Sequence, residues 1–397
     1  MRILFFNHSA SPTGGGMNQY VLDVIARLRA ANETVALVHS REPHSEYGGT
    51  GYILDGLQSS KTDIPFFQQR LEAILEDFQP DIVQLHGVWN PWLDEILPQL
   101  CPTVRFIHNH EFYCSGGNMT TVRPFRPCEC AHAFHCLIAH RLQGCGSYNP
   151  WHDLSQHRRV TQRLKNLQHL HGIQVATQTL AQNLRRNGVP ESKITLLPLY
   201  AAEPRPGIPD PDPQRRTLLH VGGLLRKKGI WLMIRMLRSL PNDVEIVFAG
   251  AGPEQTTLER HVRARGLSNR IRILGDPLPD QWYQLYSTAT LIILPNLWNE
   301  PLGFCALQAL AYGKVVVTFR VGGTSEWIDD GFNGITIPFG ETHQFQEAVL
   351  QLLTDSEKLR TMGKNAKKIW ENRFHPDKHL ARLRAFYLAL VSKSVPN

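Results

Sequence analysis

Short apolar runs alternate with amphipathic stretches along most of this chain, and that rhythm sets the first expectations. Residues 3–6 (Ile3, Leu4, Phe5, Phe6) are a continuous apolar run of strand length. Over residues 18–30, Val21, Leu22, Val24, Ile25 and Leu28 fall on one side of a helix. Further strands are predicted at 35–39, 81–86 and 104–108, with a helix over 71–78. Strand and helix alternating at this spacing imply a parallel sheet covered on both faces.

A break follows. Six prolines (198, 204, 206, 209, 211 and 213) crowd a short stretch that cannot continue a helix or a strand and reads as a stiff connector. Beyond it the alternation restarts, with strands predicted at 217–221, 245–249, 270–274, 290–294 and 314–318 and a helix at 230–240. The expectation is α/β, with two doubly wound domains facing across a cleft. Residues 1–200 form the first domain, with a Cys-rich segment at 114–145, and 201–375 form the second. A C-terminal helix at 376–397 is expected to pack back on the first.

Composition changes this picture little. The chain has 397 residues, 42% of them hydrophobic and 19% charged, enough for two ordinary cores. No apolar run reaches the roughly 18 residues needed to span a bilayer. The opening residues read as a buried strand rather than a signal peptide, so a cytoplasmic location is expected. Net charge of +7 favours anionic partners. The basic residues Arg158, Arg159, Arg163 and Lys165 read first as a solvated helix face. With no nucleic-acid motif present, peripheral contact at the inner membrane surface is the favoured functional use of the charge. Cys114, Cys128, Cys130, Cys136 and Cys145 crowd one segment beside His132 and His135. The alternatives there are structural zinc, free thiols or a disulfide, although no Cys-x2-Cys pair occurs.

Chemistry concentrates at glycine-marked turns after predicted strands: Gly14-Gly15-Gly16, Gly222-Gly223, Gly250 to Pro253, and Gly322-Gly323-Thr324. Glycine lets backbone N–H groups approach a phosphate, and ligands of open α/β sheets bind at strand carboxyl ends. Between 291 and 334 a buried strand gives way to Pro295, Glu300 and Pro301, then to a helix through Leu310. Asn299 or Glu300 is expected around the N-cap of that helix, with Gln308 two turns along on a similar face. Periodicity alone assigns Glu300 a capping role.

This stretch resembles the signature of the retaining glycosyltransferases of family four, which have the two-domain GT-B fold of Rossmann-like halves. Glu300-Pro301-Leu302-Gly303, Gly322 to Glu326, Gly222 to Gly229, Gly250 to Pro253, Gly15-Gly16 and the strand-end His108 match that family's motifs in order, across nearly the whole chain. The resemblance implies transfer of a sugar from a nucleoside diphosphate sugar onto a glycan or lipid-linked acceptor, with no metal and no other cofactor. Glu300 would hold donor-sugar hydroxyls, Lys228 would neutralise the diphosphate, and His108 would sit near the reacting sugar. Gly15, Gly16, Gly223, Arg226, Gly252, Leu274, Gly303, Phe304 and Gln308 would complete the donor site. From their place at strand ends rather than from the resemblance, His86, Asn109 and His110 could shape the acceptor site, a structural histidine being the alternative for His86. Front-face departure and attack would need no protein nucleophile.

The departures from the pattern matter as much. Gln308 stands where a second glutamate is expected, Gly223 where arginine is usual, and Leu302 where phenylalanine is familiar. Arg226 or Arg320 could supply the missing charge. An amide accepts through one oxygen only, which lowers the expected nucleotide affinity by about 1–2 kcal/mol. The alternative is therefore a non-catalytic nucleotide-sugar-binding protein. Asp210-Pro211-Asp212 reads as connector rather than metal ligand. Trp89 and Trp92 could stack on a sugar, though core packing is the commoner reason for them.

Overall fold

Apolar runs without polar interruption form strands buried on both faces. In the computed structural model, which describes residues 1–11, 16–40, 50–58, 64–147, 149–205 and 216–394, Ile3 to Phe6, Leu291 to Leu294 and Val316 to Phe319 are all buried. Gly14, Gly15 and the triplet Asp210-Pro211-Asp212 lie outside the described residues.

The chain divides into two units: Met1–Asn118 with Glu129–Pro198 and the residues from Asp377 on, and Met119–Cys128 with Leu199–Pro376. In chain order the first strands are β1 (Arg2–Phe6), β2 (Thr34–His39), β3 (Gly51–Ile53), β4 (Ile82–Leu85) and β5 (Thr103–Ile107). An antiparallel hairpin, β6 (Thr120–Val122) and β7 (Phe125–Pro127), belongs to the second unit although it is flanked by segments of the first. With β8 (Gly172–Val175) and β9 (Ile194–Leu196) the first unit forms a seven-stranded sheet, ordered β3-β2-β1-β4-β5-β8-β9. The second unit's sheet comprises β10 (Arg216–Val221), β11 (Val244–Ala249), β12 (Ile271–Ile273), β13 (Leu291–Leu294), β14 (Val316–Phe319) and β15 (Gly334–Ile337), ordered β12-β11-β10-β13-β14-β15. Every pairing within these two sheets is parallel.

Both orders reverse direction once, between β1 and β4 and between β10 and β13. At such a point neighbouring connections leave to opposite faces, and a crevice opens at the strand carboxyl ends. The residues after β1 and β4 are Asn7 and His86; those after β10 and β13 are Gly222 and Pro295. Topology alone thus nominates one location in each unit.

Buried polar pairs hold the first location. Arg105, on β5 and fully buried, sets its guanidinium 2.6 Å from Asp94 and donates to the carbonyls of His86 and Val88 at 3.2 and 3.1 Å. The loop after β4 is thereby tied to the sheet. The helix Pro376–Ser394 contributes to the same unit: Tyr387 donates to Gln84 Oε1 on β4 at 2.9 Å, and Arg384 pairs with Glu33 at 2.7 Å.

Some elements differ from expectation. The strand expected at 314–318 is Val316–Phe319, because Gly313 at φ +63° ends the preceding turn and Lys314 reaches back to the Ser287 carbonyl. The helix expected at 230–240 runs Ile230–Met236 and tightens to a 3-10 turn at Leu237–Ser239.

Candidate functional site

The second unit's switch point is built from two loops. After β10, Gly222, Gly223 and Leu224 lead into the 3-10 turn Arg226–Lys228, which Gly229 closes at φ +71°. After β13 the chain runs through Pro295 to Gly303. A side chain at 229 would place its Cβ 2.0 Å from the Pro295 carbonyl oxygen, so glycine lets the two loops meet. Across that contact the Lys228 ammonium forms an ion pair with the Glu300 carboxylate, both side chains being largely buried. Burial alone would pull the lysine pKa down; the Glu300 carboxylate reverses this and holds it above the usual lysine range. Lys227 lies 3.7 Å from the centre of the Trp298 ring, with its own pKa lowered by burial and by Lys228.

The helix that follows is Phe304–Ala311, and its N-cap is Gly303 at φ +62°. Glu300 is therefore not a capping residue, and it does not share a helix with Gln308, contrary to the periodicity reading. Gly303 takes the cap because a Cβ there would lie 2.6 Å from Thr324 Cα. Glu300 is held instead by its backbone: the Gly323 N–H donates to its carbonyl at 2.6 Å, and Gly322 packs flat against it. One residue earlier, the Asn299 N–H donates to Thr120 Oγ1 of the β6–β7 hairpin at 3.1 Å. Phe304 opens the helix at its positive end. Gln308, half-buried on that helix, has no side-chain partner among the described residues.

Other expected donor residues separate into two kinds. Gly250 and Gly252 let the β10 and β11 loops touch backbone to backbone, since Cβ atoms there would come within 2.2 and 2.5 Å of the Gly222 and Leu224 carbonyl oxygens. Leu274 follows β12, its N–H bonded to the Phe248 carbonyl at 3.0 Å. Gly223 is under no such constraint, because its nearest neighbour would be 3.5 Å away. Arg226 is exposed and pairs with Glu254 at 3.1 Å, and Arg320 contacts Asp330 at 3.6 Å, so both candidate replacements for the missing arginine already have partners.

In the first unit, His86 and His108 follow adjacent strands β4 and β5, and His86 Nδ1 lies 2.8 Å from His108 Nε2. The rings stack on Phe5 and Phe106. Burial, then His108 and Arg105, drive the His86 pKa well below its usual value; burial and Arg105 push His108 down to about 3. Both imidazoles are neutral, one donating to the other, which leaves His86 Nε2 and His108 Nδ1 without partners among the described residues. Gly87, the next residue after His86, has its N–H bonded to Asn7 Oδ1 at 3.2 Å. Gly16 begins the helix Gly16–Ala30 that follows β1.

Asn109 and His110 support a turn. Asn109 Oδ1 accepts from the Glu111 N–H at 3.1 Å, capping the 3-10 turn His110–Phe112. His110 is fully buried with its Nδ1 2.6 Å from the Tyr113 hydroxyl, a contact that braces the loop. Trp89 has one ring face covered by Arg163 at 4.8 Å. Among the described residues no disulfide joins any two cysteines, and no three His, Cys, Asp or Glu side chains gather where they could hold a metal. Sequence reasoning missed Trp298, Thr120 and the backing role of Gly322. Only Gly322, in a quoted motif, carried a signal.

Two family models match this chain, "Glycosyl transferases group 1" over residues 206–369 and "Glycosyltransferase Family 4" over 14–199. An alpha-D-kanosaminyltransferase from Streptomyces kanamyceticus is 32% identical over 38% of this chain and 40% of its own. A D-inositol 3-phosphate glycosyltransferase from Corynebacterium diphtheriae is 30% identical over 37% and 36%. The matched segments thus span well under half of either relative. Among solved structures, a sucrose-phosphate synthase from Thermosynechococcus elongatus aligns with TM-score 0.74 at 18% identity over 99% of both chains. Anabaena HepE in complex with UDP aligns with TM-score 0.71 at 16% identity over 98% of this chain and all of its own. These likenesses show the GT-B fold.

Two expectations follow from the geometry. Gly322→Ala would put a Cβ 2.4 Å from the Glu300 carbonyl oxygen at φ +61°. It should destabilise the second unit by about 1–3 kcal/mol, whereas Gly223→Ala should stay within about 0.5 kcal/mol. Thermal unfolding of both variants checks this, and equal losses would remove the cause assigned. The histidine pair gives a pH dependence. Unfolded, each ring takes up a proton below about pH 6.5, while His108 in the fold stays neutral down to about 3. The unfolded chain then binds more protons, so stability is lost as pH falls through that window. Urea unfolding at pH 7, 6 and 5 should show a shallower slope for His108→Gln, by up to about 1.4 kcal/mol per pH unit. Identical slopes would count against a neutral buried ring.

Proposed function

This chain belongs to the glycosyltransferases of family four, and we propose that it moves a sugar from a nucleoside diphosphate to a glycan or lipid-linked acceptor, with retention and without a metal or other cofactor. The observation that carries the reading is the Lys228–Glu300 pair at the second unit's switch point. Without a ligand the two charges neutralise each other. A bound nucleotide sugar would divide them: Lys228 would turn to the diphosphate, where negative charge grows as the glycosidic bond breaks, and Glu300 would accept from sugar hydroxyls. The amide of Phe304, at a helix N-terminus, would add a donor for the same charge. His108 Nδ1 is available to a hydroxyl of the reacting sugar as donor or acceptor according to its tautomer. The proposed route is front-face transfer, with the leaving phosphate taking the acceptor proton and no protein nucleophile. The names of the kanosaminyltransferase and the inositol phosphate glycosyltransferase, and the UDP bound to HepE, support a nucleotide-sugar donor.

A binding protein without catalysis is the second reading, favoured by Gln308 and Gly223. Calorimetry and transfer assays separate the two. One of UDP, GDP and ADP should stabilise by about 2.7 kcal/mol at a hundred times its dissociation constant, indifferent to magnesium. Gln308→Glu should tighten that nucleotide about tenfold, through charge-assisted bonds to the ribose. Glu300→Gln should retain nucleotide binding and lose transfer from the matching sugar donors. Nucleotide binding without transfer by the unaltered protein leaves the second reading, and no binding of any nucleotide overturns both.

Peripheral membrane contact is proposed as well. No helix among the described residues is long and apolar enough to cross a membrane. Phe134, Ile138 and Leu142, spaced to share one helix face, are 72%, 55% and 70% exposed, and Trp151 is 79% exposed. His140 lies 3.5 Å from Asp153, which brings the end of the helix His135–Leu142 against the start of the helix Pro150–Asn166, and Arg141 and Arg158 are exposed nearby in sequence. Apolar side chains flanked by cations suit an anionic bilayer surface. Co-sedimentation with phosphatidylglycerol vesicles should fall several-fold in Ile138→Ser/Trp151→Ser. Sedimentation equal to the unaltered protein's would reject this face.

A further inference from the structure

A cavity of about 390 Å³ lies wholly within the first unit, and its chemistry differs from that of the histidine pair. One wall is a single face of the helix Pro150–Asn166: His152, Gln156, Arg159 and Arg163, at spacings that stack side chains on a helix. The opposite wall is the turn that begins three residues after His108 and runs from Glu111 to Gly117. Glycine is required in that wall, since a Cβ at 116 would lie 2.2 Å from the Cys145 carbonyl oxygen and Gly117 has φ +71°. The wall therefore stands in a fixed position.

Arg163 is held ready. Its guanidinium is 4.8 Å from the centre of the Trp89 ring and 5.8 Å from that of Phe112, and one of its nitrogens donates to the Glu111 carbonyl at 3.0 Å. Among the described residues its remaining donors have no hydrogen-bond partner, and Arg159 has neither a hydrogen bond nor an ion pair. A guanidinium fixed by aromatic faces has already lost the rotamer freedom that binding would otherwise cost. Against these two cations the lining has one carboxylate, Glu111, whose pKa burial raises. Two forks with unpaired donors around a polar cavity match a carboxylate or phosphate, whose charge a neutral sugar would not supply.

We propose that this cavity binds an anionic group, a carboxylate or a phosphate, carried by the acceptor, with Arg159 and Arg163 as its ligands. The inference rests on the glycosyltransferase reading and narrows the acceptor to a charged class: a uronic acid or a phosphorylated sugar or lipid headgroup. Arg159 would be a specificity-determining residue, and Arg163 would both bind the anion and keep the Glu111 turn in place.

Ligand-observed NMR on the full chain tests this with three probes, glucose, glucuronate and glucose 6-phosphate, and with the nucleotide that binds best titrated alongside. At least one anionic probe should bind ten-fold or more tighter than glucose. Which one does so identifies carboxylate or phosphate as the natural group. Arg159→Gln, at an exposed position, should erase that preference and leave nucleotide affinity unchanged. Arg163→Lys keeps the charge without the planar fork and should weaken the preference at least three-fold. Equal binding of all three probes overturns the inference while the nucleotide result stands. An anion preference that survives Arg159→Gln, or a loss of nucleotide affinity in that variant, overturns it too. Failure of the nucleotide to bind the unaltered protein would strike the underlying reading separately.

Discussion

A lysine and a glutamate placed together in a largely buried site constrain everything around them. Either charge alone would be costly there, and removing one partner of such a pair typically costs several kcal/mol because the other is left uncompensated. The pair therefore demands that two loops, 72 residues apart in sequence, meet within hydrogen-bonding reach. They meet only because Gly229 can lie against Pro295 and Gly322 against Glu300, where a side chain would collide with backbone. The parallel sheet provides the frame, since β10 and β13 are adjacent and their carboxyl ends lie side by side at the reversal of strand order. Topology, glycine placement and charge pairing thus answer to one requirement.

The first unit meets a comparable requirement without net charge. His86 and His108 follow neighbouring strands and share one hydrogen bond, and burial keeps both neutral. The cation beside them, Arg105, is consumed by Asp94 and by the carbonyls of the loop after β4, so it stiffens that loop. One strand end therefore carries charge in balance, and the other carries polar atoms without charge.

Much of this was legible from residues alone. β1 from Ile3 on and β13 are continuous apolar runs, β4, β10, β11 and β14 are mostly apolar, and such runs alternating with helices have few architectures open to them. Strands of three residues, such as β3 and β9, are too short to show a period, and the β6–β7 hairpin joins the second unit through long-range contacts that no local pattern encodes. Glu300 was misplaced at a helix cap because a sequence does not display φ; the left-handed Gly303 moves the helix start three residues on. The partnership of Lys228 with Glu300 was reachable only through resemblance to a family, since nothing in the spacing joins them. Nor does the polar cluster after β5 show in sequence that His110 is fully buried.

The departures from the family pattern gain meaning from the geometry. Nothing steric forbids an arginine at 223, and no side chain among the described residues pairs with the amide of Gln308, so neither change answers a strain in the described fold. Structural necessity would instead have left a mark like that at Gly322, where a single methyl group collides with Glu300. Positions 223 and 308 can vary without strain, while the framework that presents Glu300 and Lys228 is held by glycines whose replacement would collide with backbone.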